Sequence, residues 1–187
     1  MGALIILALA STAAGGTSAL PLPQLDIAVR VAGSGLPQCT SYHPDGSEGP
    51  CLPRFALRQA HAINAWRAGG QITVTSGAAE ALTGDEFALL AGHEIAHWLL
   101  GHRTSSPEAE LAADRLGAKL ACAAGFDLAA GVKLFTHLNK DHAHPSAALR
   151  TAALIGTDCR PGPSAGTQSA RLLPQAQAGA AGSTSAQ

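Results

Sequence analysis

The run His93-Glu94-Ile95-Ala96-His97 carries the strongest chemical signal in the chain. On a helix, positions four apart share a face, so both imidazoles can reach one metal ion. Glu94 follows the first of them and points to one side, where its carboxylate can contact a metal-bound water without being a ligand. Zinc brings the pKa of such a water toward ~7. Glu94 can then take its proton, and the hydroxide attacks a carbonyl that the ion also polarises. Short motifs recur by chance, so the surroundings matter. Leu89, Leu90, Ile95, Ala96 and Leu99 would bury the same helix, and three polar residues in a buried helix need a reason.

A third ligand is required. His102 is nearest in sequence, but at ~100° per residue it falls about 180° round the helix from His93. It reads as a helix C-terminal histidine favoured by the dipole. Glu110 is the better candidate. It lies four residues before Asp114 on a following helix, so the two share a face. Asp114 could accept the spare N–H of a metal-bound histidine and fix its tautomer. Taken alone, both read more readily as solvated helix acids, and the nearby histidine pair reverses that reading toward the metal. Glu108 is a weaker rival, because Ala112 stands where its partner acid would be.

The elements that must position these groups are legible. Thr83 with Glu86 forms a capping-box pattern that starts a helix expected over 85–100, and Gly101 is its natural stop. Ser105 or Ser106 caps the next, with Pro107 in its first turn, running to Ala124 and ending at Gly125. Asp127 caps a third, expected to reach Asn139, and His144-Pro145-Ser146 opens a fourth that stops at Gly156. Upstream, Gln71 to Thr75 alternates polar and β-branched residues and predicts a short strand. Residues 54–67 show helical spacing, ended by Gly69-Gly70. A strand is expected at Asp26–Ala32 and a loop from Cys39 to Cys51.

The 187 residues are 47% hydrophobic but only 4% aromatic, which predicts one compact domain with a Leu/Ala/Val-rich, mostly helical core. A net charge of −1 gives no electrostatic reason to expect nucleic acid or an anionic membrane as partner. Residues 1–19 read as a secretory signal, with cleavage sites after Ala14 or Ala19, although no Lys or Arg precedes the apolar run. An uncleaved anchor is the lesser alternative. The domain is expected over 20–159, with a low-complexity disordered tail at 160–187. Four cysteines in an exported chain favour disulfides, and the expected pairs are Cys39–Cys51 and Cys122–Cys159.

Several ordered motifs now look like one family. Asn64-Ala65-Trp66, Gly70 to Gly77, His93 to His97 with His102, Glu110 to Asp114 with Arg115-Leu116-Gly117, Ala124 to Asp127, and His144-Pro145 with Arg150 resemble the HtpX-type and BepA-type zinc endopeptidases of peptidase family M48. The resemblance covers roughly residues 60–155. It implies a gluzincin fold, mainly α with a small β element, holding one Zn2+ per chain. It also implies that Ile72, Thr73, Val74 and Thr75 pair with an extended polypeptide substrate. By the same resemblance His144 lies near the metal, stabilising the oxyanion or capping a resting site, and Arg150 supports it. The chain departs from the family in a short His97-to-Glu110 spacing, no transmembrane helices and no repeat domain after residue 160.

The expected activity is hydrolysis of peptide bonds in unfolded or misassembled exported proteins, in the periplasm or outside the cell. The rivals are a chaperone that uses the same cleft without cleaving, and a small metal-binding or sensing protein. His43, His61, His137 and His142 match nothing specific.

Overall fold

The structure is a computed structural model that describes residues 16–35, 40–42, 48–50, 53–68, 70–138, 144–157 and 159. Its strands are β1 (Thr17–Ser18), β2 (Thr40–Tyr42), β3 (Glu48–Pro50), β4 (Arg54–Arg58), β5 (Ala65–Ala68) and β6 (Gln71–Thr75). Its helices are α1 (Leu22–Gly35), α2 (Ser76–Ala81), α3 (Gly84–Leu99), α4 (Pro107–Ala123), α5 (Leu128–Gly131), α6 (Leu134–His137) and α7 (Ala147–Ala153). The domain is mainly α with a small four-stranded sheet, as expected. That sheet runs β1-β4-β6-β5, while β2 and β3 pair separately, inside the stretch expected to be a loop.

α3 is the central element. Its residues Phe87, Ala88, Leu89, Leu90, Ala91, Ile95 and Ala96 are all buried, and α1, α4 and β5 pack around it. Its start follows the sequence signal. Thr83 accepts from the Glu86 amide, while the Glu86 carboxylate accepts from the Thr83 amide and hydroxyl. Its end does too, because Gly101 adopts the left-handed φ of 66° that a side chain disfavours. Ser106 caps α4, and Ser146 caps α7.

Three expectations are corrected. The residues expected as a strand at 26–32 lie in α1. Ala28, Val31 and Ala32 are buried while Val29 is 41% exposed, which is a helical stripe rather than a period of two. The residues with helical spacing at 54–67 form β4 and β5 instead. β4 lies between β1 and β6, with Phe55 opposite Ile72 and Leu57 opposite Val74, so sheet pairing overrides local spacing. Ala68 pairs with Gln71. β5 and β6 are therefore the adjacent antiparallel strands of a hairpin, and no helix ends at Ala68. Third, the helix expected from Asp127 to Asn139 is broken into α5 and α6, with a turn at Val132 and Lys133.

Cys122, near the end of α4, forms a disulfide with Cys159 beyond α7. Cys39 and Cys51 lie outside the described residues, as does the tail from 160. Of the expected signal region, Thr17 and Ser18 pair with Arg58 and Leu57 of β4. No helix among the described residues is long and apolar enough to cross a membrane.

Candidate metal centre

His93 and His97 stand one turn apart on α3, and their Nε2 atoms face each other at 3.0 Å. α4 crosses α3 with backbone against backbone at Gly92 and Gly117, which lays the first turns of α4 over the histidines. Glu110 then reaches both rings. Its Oε2 is 3.3 Å from His93 Nε2, and its Oε1 is 3.4 Å from His97 Nε2. One ligand atom from each of the three residues lies within 4.8 Å of the other two.

The back of His93 is fixed by α4 and α7. Asp114 Oδ1 lies 2.9 Å from His93 Nδ1. A carboxylate only accepts, so Nδ1 carries a proton and the Nε2 edge of the ring faces the cluster. Arg150 holds Asp114 by two bonds, Nε donating to Oδ2 at 2.8 Å and Nη2 donating to Oδ1 at 2.6 Å. Its guanidinium also stacks 4.4 Å over the Phe135 ring.

The charges respond to this crowding. Burial alone would depress His93, but its hydrogen bonds to Asp114 and Glu110 and the charge of Glu94 push it up to about 9. Burial works to raise Glu110, yet the hydrogen bonds and charges of His93 and His97 hold it well below the usual carboxylate range. Asp114, likewise opposed by burial, is held low by Arg150 and His93. Glu110 is 1% exposed, so its charge is met by the His93 and His97 imidazoles and not by solvent. Two imidazole nitrogens converging on an ionised, buried carboxylate form a donor set that suits a cation. Two histidines and a glutamate fit zinc with a coordination position left over.

Glu94 is buried beside the cluster and lines two cavities that adjoin it. His144 Nε2 sits 3.7 Å from Glu110 Oε2 and faces the same two cavities. The cavities, of about 250 and 270 Å3, share Asn64, Ala65, His93, Glu94 and His144. One is apolar, walled by Ile63, Leu90, Leu134 and Leu138. The other is polar, walled by Arg67, His102, Arg103, Thr104 and Ser105.

The structure corrects two site expectations. Ile72, Thr73, Val74 and Thr75 belong to β6, which is paired on both flanks, by β4 and β5, so they have no free edge to offer a substrate. The open edge beside the cluster is β5. The Thr75 amide donates to the Asn64 carbonyl, so by antiparallel alternation Trp66 pairs inward while the backbone groups of Ala65 and Arg67 face outward. His102 does not point away. α3 ends at Leu99, so helical geometry no longer applies beyond it, and His102 Nδ1 lies 2.9 Å from His97 Nδ1. The stop signal at Gly101 was the cue that the angular extrapolation ended too soon to place it.

A mainly helical domain that gathers these groups around one point has the arrangement of a gluzincin-like metallopeptidase. Residues 48–109 match the model of peptidase family M48, which supports that family and, with it, a metallopeptidase hydrolase. The matched segment holds β5, β6 and both histidines but stops short of Glu110, Asp114 and Arg150, which only the folded geometry joins to it. A comparison with curated proteins gives no match.

Proposed function

We propose that the chain is an exported zinc-dependent endopeptidase of the HtpX/BepA type, acting on extended segments of unfolded or misassembled envelope proteins. The observation that carries this is the convergence of His93, His97 and Glu110 on one point, with Glu94 at the junction of two cavities. His93, His97 and Glu110 would hold one zinc ion, which supplies water activation and carbonyl polarisation when bound.

The rest falls to the chain's own residues. The outward backbone groups of Ala65 and Arg67 add the substrate to β5 as a further strand, taking the role first assigned to residues 72–75. Glu94 accepts a proton from the attacking water and returns it to the leaving amine. His144, whose Nε2 lies 3.7 Å from Glu110 Oε2, can donate to the developing oxyanion or cover the resting site. Asp114 and Arg150 keep the His93 ring in place.

Export agrees with the Cys122–Cys159 disulfide, since such bonds persist in oxidising compartments. Signal cleavage after Ala14 keeps β1 in the sheet, whereas cleavage after Ala19 would remove it. The test is digestion of unstructured casein. The protein should cleave it, o-phenanthroline should stop it, and Glu94→Gln should abolish it while retaining metal. Cleavage that survives both treatments would overturn the proposal. An intact cellular role in Glu94→Gln would favour client binding over hydrolysis.

A further inference from the structure

We infer that His102 is a positioning residue that fixes the tautomer of His97 through a ring-to-ring hydrogen bond. The inference rests on the zinc reading of the cluster. Its basis is that the two Nδ1 atoms lie 2.9 Å apart, with the rings edge to face at 71°. One of these nitrogens must donate and the other accept. His97 Nε2 faces Glu110 Oε1 and His93 Nε2. To offer its lone pair to a metal, His97 must carry its proton on Nδ1. His97 therefore donates and His102 accepts, with the His102 proton on Nε2.

The two histidines of the cluster are thus oriented by different chemistry. His93 faces a carboxylate, which can only accept, so its Nδ1 is protonated with or without metal. His97 faces an imidazole, which can accept or donate, so its tautomer depends on His102 being held in register. That hold comes from the substrate side of the cleft, because Arg67 of β5 donates to the His102 carbonyl. His102 also belongs to the wall of the polar cavity.

The test uses the full chain and zinc itself, with affinity measured by chelator competition. His102→Ala should weaken zinc by about 10–100-fold, the range for losing an outer partner of a metal-bound histidine. His102→Asn, whose amide oxygen can accept near the same place, should stay close to wild type. In zinc-loaded, 15N-labelled wild type, a scalar coupling between His97 Nδ1 and His102 Nδ1 across the hydrogen bond should be seen. Unchanged affinity in His102→Ala overturns the inference. Equal loss in both variants is decided by the coupling, which upholds the inference if present and overturns it if absent. A wild type that binds no zinc, or binds it undiminished after His97→Ala, overturns the zinc reading as well and is thereby told apart from failure of His102 alone.

Discussion

A methyl group placed on Gly92 would stand 2.5 Å from the carbonyl oxygen of Gly117, far inside van der Waals contact. The two helices that carry the candidate ligands touch there without side chains between them. Gly92 adjoins His93, and Gly117 lies one turn beyond Asp114, so this contact sets the spacing between the imidazoles and the carboxylates. Gly92→Ala or Gly117→Ala should force the helices apart and destabilise the fold by about 1–3 kcal/mol, as overpacking generally does. Zinc affinity should fall in the same variants. Denaturant midpoints together with chelator competition check both effects, and unchanged values would show that the crossing tolerates a side chain.

Arg150 and Asp114 form a bidentate pair with both side chains almost wholly buried. Arg150→Ala would strip Asp114 of its bidentate partner, and breaking such a buried pair costs about 3–5 kcal/mol. Asp114→Asn leaves the buried Arg150 charge unpaired, so it should cost a similar amount, and it should weaken zinc by about 10–100-fold, since the partner that orients His93 is altered. Thermal unfolding and zinc titration of the two variants separate the effects.

Acid stability should depend on Glu86. Burial opposes its ionisation, but hydrogen bonds from the Thr83 amide and hydroxyl and from His137 hold its pKa below the ordinary 4.5. A depressed carboxylate stabilises the fold above its unfolded pKa and loses that contribution as pH falls through the folded value. The Glu86 contribution is therefore complete at neutral pH and declines below about 4.5. Glu86→Gln should be less stable than wild type at pH 7, with the gap narrowing on acidification. Thr83→Ala should cost about 1 kcal/mol through loss of the cap. Unfolding curves across pH 3–7, the range set by carboxylate titration, would reveal either pattern.

The Cys122–Cys159 disulfide spans 37 residues and encloses α5, α6 and α7. In the loop-entropy account, a closure of that length is worth about 4 kcal/mol. Replacing both cysteines by alanine should lower stability by that order. It should also loosen α7, from which Arg150 reaches Asp114, so zinc affinity should decline as well. Equal melting temperatures with and without the bond would contradict this.

Much of the site was legible because its signals are local. His93 and His97 share a face by helical spacing, and Glu110 with Asp114 repeats that spacing on the next helix, so the carboxylates could be assigned to metal and outer roles before any contact was known. Thr83, Gly101, Ser106 and Gly125 marked helix ends through capping chemistry. What failed was non-local. β4 is a strand because β1 and β6 flank it, and nothing within residues 54–58 announces those partners. The free edge fell to β5 instead of β6 for the same reason, since strand order is a property of the whole sheet. Ile27, Val29 and Val31 alternate like a strand, yet the core covers Ala28 and Ala32, too small to signal strongly, together with Val31 and leaves Val29 exposed. His102 was misplaced by extending a helix past its own stop.

The most direct measurement is the zinc content of purified protein beside that of Glu110→Ala. The account predicts about one zinc per chain, as for a three-ligand catalytic site, and a large loss in the variant, with the fold retained by circular dichroism. Equal metal in the folded variant would remove Glu110 from the cluster and contradict the reading of two helices sharing one ion.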